Sequence, residues 1–389
     1  MRDISKLSKE VSGYAVALRR HFRSFPELAF QEFATQKRVM SELAALGLEA
    51  RPAAGTGVIA QLDGRLPGKI VAVRADMDAL PLRDETDKEY CSENFGFCHA
   101  CGHDAHMAMA LSLAKIFSQL KDELAGSVRF LFEPGEELLP GGAQGLIEAG
   151  ALEGVSSIIG AHIWQPIAVG RVGFTYGPIM AAIDDFNITI KGRGGHGSMP
   201  HQTIDPIAVA AQIALALKAI VPTHIDSREI AVLSIGQFHA GNAFNVIPDT
   251  ASLSGNIRTF NEDVRRKIHE EMENICRGFT MAAKAEYILK ITRGYSAVLN
   301  HAAISALIKE AAAEVLGADK VDEIKPVLGA EDFAYYLEKI PGAFFLLGTG
   351  NPQKGIVYPH HHPKFDLDED SMPLGIEIMA RCVMKLLQQ

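Results

Sequence analysis

The stretch Ser127-Val-Arg-Phe-Leu-Phe132-Glu133-Pro134-Gly135-Glu136-Glu137 decides how the chain is read. Its first half has the aliphatic and aromatic density of a strand covered on both faces. Its second half breaks that strand with Pro134 and Gly135 and sets Glu133, Glu136 and Glu137 just beyond its end. The arrangement recurs on either side. Lys69-Ile-Val-Ala-Val-Arg74 runs into Asp76 and Asp78, and Val155-Ser-Ser-Ile-Ile-Gly-Ala161 runs into His162 and Trp164. Polar groups at the carboxyl ends of apolar strands are where open α/β sheets form sites, and helical patterns between these strands predict a parallel or mixed α/β sheet.

Elsewhere apolar residues recur every three or four positions over 14–25, 31–46, 107–120, 301–316 and 371–387, which predicts helices, while 57–62 and 343–348 read as further strands. Near Ile183 the pattern changes. An alternating strand over 185–191, a helix over 206–220, strands over 229–238 and 249–258, a helix over 263–283 and a strand over 285–292 give the order β-α-β-β-α-β, the ferredoxin-like signature. The fold class is therefore α/β: one domain formed by 1–183 and 295–389, with a mixed sheet and helices on both faces, and an inserted ferredoxin-like α+β domain over 184–294.

Composition narrows the function. At 389 residues two domains are expected, and the balance of 38 basic against 47 acidic residues, net −9 without a basic block, argues against nucleic acid as a partner. No run reads as a membrane span, and the start, Met1-Arg2-Asp3-Ile4-Ser5-Lys6, lacks the apolar core of a signal peptide. Cysteines at 91, 98, 101, 276 and 382 make no disulfide framework. A cytoplasmic protein is expected.

Ala100-Cys101-Gly102-His103-Asp104-Ala105-His106 packs a thiol, two imidazoles and a carboxylate ahead of a buried helix. It reads as a metal site, as a redox pair Cys98-x-x-Cys101, or as histidines capping a helix. Glu136-Glu137 is a solvated pair unless one carboxylate ligates a metal while its neighbour faces the adjacent water, which adjacent side chains on extended backbone can do. His162 is a ligand or a core histidine. His360-His361-His362-Pro363 is a ligand cluster or surface, and the Lys-Phe-Asp and helix that follow make it native sequence, not a tag. Cys101, His103, Glu137, His162 and one C-terminal histidine together form a mixed S/N/O set for one or two divalent cations, with Glu136 left over as a base.

The segments RADMDALP (74–81), HACGHDAHMAMAL (99–111), FEPGEE (132–137), GAHIWQP (160–166), GGHGSMPH (194–201), FNVIPD (244–249), GNIRTF (255–260), GAEDFAYY (329–336) and HHPKFDLDED (361–370) resemble, in order and spacing, the M20 metallopeptidase family. The nearest branch holds hippurate hydrolases, bacterial N-acyl-amino-acid amidohydrolases and plant auxin-conjugate hydrolases. The resemblance implies a catalytic domain, an inserted lid and dimerisation domain, and hydrolysis of the amide bond of an N-acyl amino acid. Two divalent ions (Mn, Zn, Co or Ni) would be held by Cys101, His103, Glu137, His162 and His361, with Glu136 as general base. His361 fits the pattern His-x-Pro-x-Phe, which leaves His360 and His362 as bystanders. His196 matches a lid histidine that stabilises the carbonyl oxygen, often at a partner subunit's site. Asn245 and Arg258 match substrate-binding positions, Arg258 on the amino-acid carboxylate. A homodimer or dimer-based tetramer is implied.

Two departures stand out. The family's His-x-Asp reads Asp76-Met77-Asp78, so Asp76 is not carried over as a ligand and Asp78 is expected to support catalysis from behind the ligands. The usual FQPAEE reads FEPGEE, and Glu133 is expected to add negative charge that raises the Glu136 pKa or alters metal affinity. The rivals are a dipeptidase or carboxypeptidase of the same superfamily and a non-catalytic metal-binding or redox protein built on Cys98 and Cys101. The first has no motif for a free α-amino group; the second leaves Glu136 and His196 without a purpose.

Overall fold

The computed structural model describes residues 3–389, which divide into two compact units. One contains the chain up to Ile179, Val298–Pro326 and Asp332–Gln389; the other contains Met180–Ala297 and Val327–Glu331.

The first unit is built on an eight-stranded sheet in the order Glu49–Ala53, Gly57–Asp63, Ala125–Glu133, Leu66–Asp76, Val155–Ala168, Gly342–Gly350, Val172–Phe174, Val321–Glu323. The four strands from Ala125–Glu133 to Gly342–Gly350 run parallel, and antiparallel partners flank them on both sides. Every residue of Gly342–Gly350 is buried, which requires cover on both faces. On one face Val73, Phe130, Ile159 and Phe345 join a core with Leu18, Leu113, Ile116 and Val383, from the helices Ser12–Ser24, His103–Leu120 and Ser371–Leu387. On the other, Phe344 meets the Phe333 ring at 4.9 Å, beside the short helix Ala334–Leu337. Glu49–Ala53 holds Pro52, which an outer strand tolerates.

Parallel strands bring their carboxyl ends to one edge of the sheet, so the acidic residues there must be compensated. Arg74, fully buried, donates to Asp76 Oδ2 at 2.6 Å, Glu133 Oε1 at 2.5 Å and Asp332 Oδ1 at 2.8 Å. The other oxygen of Glu133 accepts the Tyr336 hydroxyl. The negative charge that Glu133 was expected to add beside Glu136 is thus paired with Arg74, which it shares with Asp76 and Asp332.

The second unit is a four-stranded antiparallel sheet, Ala231–Ala240, Thr250–Thr259, Ala182–Lys191, Glu286–Arg293, with the helices Pro206–His224 and Glu262–Ala283. In chain order this is β-α-β-β-α-β. Ile188, Ile190, Leu253 and Ile257 of the sheet share a core with Ile213, Leu217, Ile268 and Met272 of the helices. Pro206–His224 is long and apolar enough to cross a membrane, which differs from the reading of the sequence; its Val209, Ile213, Leu217 and Ile220 row is buried in this unit. Val327–Glu331 belongs here because the Ala181 N–H donates to Gly329 O at 2.7 Å and Arg258 Nη1 to Leu328 O at 2.6 Å.

Removing a buried cation strands its partners. Arg74→Met is expected to cost about 3–5 kcal/mol of stability in urea unfolding with equal metal supplied. A loss below about 1 kcal/mol would show that water or protons compensate Asp76, Glu133 and Asp332 instead.

Candidate metal centre

The centre begins at a glycine. Gly102 has φ of 91°, and a Cβ there would lie 2.2 Å from Ile163 Cδ1, so only glycine makes the turn. Cys101 precedes this turn and His103 follows it as the first residue of the helix His103–Leu120. His103 Nδ1 lies 3.2 Å from Asp78 Oδ1, while Asp78 Oδ2 accepts the Glu137 N–H at 2.9 Å. One buried carboxylate thus fixes an imidazole from one chain segment and the backbone of another. His103 Nε2 is buried without a hydrogen-bond partner.

His162 donates Nδ1–H to Ile163 O at 2.6 Å, which leaves Nε2 facing Cys101 Sγ at 3.4 Å. His361 Nε2 lies 3.0 Å from Glu137 Oε1, and its own N–H donates to Ala100 O at 2.9 Å with φ of 63°. Among the described residues, Cys101, His103 and His162 offer ligand atoms within 4.8 Å of one another; so do Cys101, Glu137 and His361, and His103, Glu136 and Glu137. Two of these donor groups share Cys101. A fourth, Asp76 with His103 and His106, does not survive inspection of its hydrogen bonds. His106 Nε2 accepts the Ile163 N–H at 2.9 Å and Nδ1 donates to Asp76 at 2.6 Å, so neither nitrogen is left for an ion.

Several supporting residues escaped the reading of the sequence. Arg23 donates to His99 O at 2.9 Å and Phe365 O at 2.7 Å, and Arg19 to Asp104 at 2.9 Å and Asp366 at 2.6 Å, so one helix ties the segment holding Cys101 and His103 to the one after His361. The available signal was a pair of arginines four apart on the face that also carries Leu18 and Phe22. His360, expected to stand aside from the metal, has structural partners of its own. It donates to Ile163 O at 3.0 Å and stacks on Trp164 at 4.7 Å, and burial lowers its pKa to about 4. His362 instead stacks on Tyr358 at 4.6 Å. Gly135, the other departure, has φ of 68° and a Cβ there would fall 2.5 Å from the Phe30 ring.

His196, Asn245 and Arg258 lie in the second unit, apart from the residues above in the division of the chain. His196 Nδ1 accepts the Ser198 N–H at 3.1 Å, so the neutral ring carries its proton on Nε2. The Gly197 N–H donates to Asn245 O at 2.9 Å, which sets Asn245 beside the histidine turn. Arg258, partly buried, sits in Thr250–Thr259 with Nη1 on Leu328 O.

Residues 72–385 match the peptidase family M20/M25/M40. The chain belongs to this family. It is 48% identical over 300 residues, 77% of this chain and 81% of the relative, to a Geobacillus stearothermophilus protein named N-acyl-L-amino acid amidohydrolase. It is 40% identical over 384 residues, 97% of this chain and 96% of the relative, to thermostable carboxypeptidase 1 of Saccharolobus solfataricus. A solved Bacillus subtilis structure, described as a dinuclear metal binding peptidase of family M20, is similar with a TM-score of 0.86 and 36% identity, covering 98% of this chain and 99% of that one.

The residues of this M20 chain fit divalent ions on their own chemistry. Burial lowers the His103 pKa, but Asp76 and Asp78 outweigh it and raise it to about 10. The surroundings therefore favour a positive charge on this ring, and its unpartnered Nε2 can take it as a proton or as a metal. Burial, then Glu137 and Glu136, push the Cys101 thiol far above its ordinary value, so its thiolate needs a cation beside it. Sulfur, imidazole and carboxylate together suit zinc and its first-row neighbours.

Metal uptake must then displace protons. Held by His103 and Cys101, a metal would displace their protons, because their surroundings raise the pKa of both, to about 10 for His103. The apparent metal affinity is expected to tighten as pH rises, by up to about tenfold per unit for each proton displaced. Calorimetry of the metal-free protein in buffers of different ionisation enthalpy reads the protons directly, and a flat affinity between about pH 6 and 8 would remove both residues from the ligand set.

Proposed function

We infer that the protein is a metal-dependent amidohydrolase that cleaves N-acyl amino acids into a carboxylic acid and a free amino acid. The observation that supports this reading is the placement of the pair Glu136-Glu137: the ligand atoms of Glu137 lie within 4.8 Å of those of Cys101 and His361, and Glu136, 6% exposed, lies beside it near His103, so one carboxylate can take a metal while its neighbour acts on water. Cys101, His103 and His162 would hold one divalent ion, and Cys101, Glu137 and His361 a second, with Cys101 shared. Divalent ions held by these residues would polarise the amide carbonyl and lower the pKa of a bound water.

The chain's own residues do the rest. Glu136 takes a proton from the attacking water and returns it to the amine nitrogen as the C–N bond breaks. Asp78 prevents His103 and the Glu137 backbone from drifting, through its two hydrogen bonds. His196, its proton on Nε2, suits a carbonyl oxygen that gains negative charge, and serves the site of a second copy of the chain in a homodimer. Arg258 takes the amino-acid carboxylate and Asn245 helps seat the substrate. The described cysteines are free, which supports a reducing compartment, the cytoplasm.

A second reading, a carboxypeptidase, is favoured by the Saccharolobus solfataricus relative. The amide chemistry is shared; the groups flanking the scissile bond differ. On a panel of acetyl, benzoyl and indole-acetyl amino acids against dipeptides and longer peptides, kcat/KM is expected to favour the acyl amino acids by about tenfold or more, since a buried polar group left unpaired is discriminated strongly. The reverse order would select the peptidase.

Two variants test the roles. Glu136→Gln keeps the shape of the side chain and removes proton transfer, so metal content is expected to hold while kcat falls by roughly 10² or more. Loss of metal would mean that Glu136 and Glu137 have exchanged places. Mixing His196→Ala chains with Glu136→Gln chains creates heterodimers with one intact site, and about a quarter of wild-type activity is expected from random exchange with independent sites. No recovery after demonstrated exchange would confine His196 to its own chain.

A further inference from the structure

We propose that Glu32 is a positioning residue for the base, clamping the backbone on the N-terminal flank of Glu136 as Asp78 clamps it on the C-terminal flank. This rests on Glu136 being the base. Glu32 is fully buried and immediately precedes the helix Phe33–Ala45. A carboxylate in that position usually serves the helix, but here Glu27 does so, accepting the Ala34 and Thr35 N–H groups at 3.1 and 2.8 Å. Glu32 instead reaches across 103 residues of sequence: Oε1 accepts the Gly135 N–H at 2.9 Å, and Oε2 accepts the Thr56 hydroxyl.

The segment it holds has little freedom elsewhere. Pro134 is wedged between two glycines, since a Cβ on Gly57 would lie 2.8 Å from its Cδ and one on Gly142 would lie 1.9 Å from its carbonyl oxygen. Gly135 lies against Phe30, whose ring fills the space a Cβ would need. The Glu137 N–H is on Asp78. Glu136 is thus carried by a backbone whose amides on both sides are held by buried carboxylates, and Glu32 is the one of these that touches none of the metal-binding side chains. Burial raises the Glu32 carboxyl to about 7, so an amide of the same shape is a fair substitute for it.

The test compares three variants with the metal-loaded wild type on N-acyl amino acids. Glu32→Ala removes the acceptor for a buried amide; metal content is expected to hold, KM to stay within about threefold, and kcat to fall by about 10- to 100-fold, the scale of a base displaced by about an ångström. Glu32→Gln can accept the Gly135 N–H through its oxygen and donate to Thr56 through its nitrogen, and is expected to retain most of the wild-type kcat. Should the alanine variant fail to fold, Glu32→Asp, one methylene short of Gly135, is expected to show the same loss of kcat with metal retained. The proposal is overturned if Ala or Asp leaves kcat unchanged, if Gln fails as badly as Ala, or if kcat falls only in step with metal content. A wild type inactive on N-acyl amino acids would sink the functional reading instead, and a Glu136→Gln variant with full kcat would sink the base.

Discussion

Counter-charge governs this architecture. Two neighbouring parallel strands, Leu66–Asp76 and Ala125–Glu133, deliver Asp76, Asp78, Glu133, Glu136 and Glu137 to one end of the sheet. Buried carboxylates at such spacing repel one another and lose hydration, and each remains ionised only beside a cation or several donors. Arg74 answers for Asp76, Glu133 and Asp332 at one level. Arg19 answers for Asp104 and Asp366 behind the helix His103–Leu120. Among the described residues, Glu137 faces the His361 ring and the Cys101 thiol faces the His162 ring, and on the reading proposed above divalent ions supply the positive charge there.

The imidazoles show how the same residue type is given different surroundings. Each ring is fixed through one nitrogen, and its role follows from what the other meets. His103 spends Nδ1 on Asp78, and Nε2 meets nothing in the protein. His162 spends Nδ1 on Ile163 O and turns Nε2 to Cys101. His106 spends both, on Asp76 and on the Ile163 N–H. His360 uses Nε2 on Ile163 O, so that the backbone N–H and C=O of one residue in the strand Val155–Ala168 organise three histidines.

This sorting marks the limit of what the sequence discloses. The strands ending in acids and histidines were legible because burial on both faces leaves continuous apolar runs, and the ferredoxin-like order was legible because its strands alternate and its helices have a clear apolar face. Val172–Phe174 and Val321–Glu323 were not, being too short to show a period. The family resemblance pointed to His361, and what sets it apart from its neighbours in the fold is a left-handed backbone hydrogen-bonded to Ala100, which leaves no trace in residue type. His103 and His106 sit three apart on one helix, and only Ile163, far along the chain, tells them apart. Contacts of this kind are tertiary, so neither propensity nor spacing can report them.

The two departures at FEPGEE become one structural fact when taken together. Glu133 ends its strand as the partner of Arg74 and Tyr336, pulling the backbone towards the sheet. The chain must then turn within Pro134 and Gly135 to bring Glu136 and Glu137 to the ligands, and it does so with a left-handed Gly135 pressed on Phe30. A Cβ at that position would have to displace an aromatic ring or shift the loop, whereas an amide in place of Glu133 would leave Arg74 with two carboxylates in place of three. The loop that carries Glu136 is therefore set by charge at its first residue and by space at its third. Both constraints act through the backbone, which is why residues as distant as Phe30 and Glu32 have a hold on it.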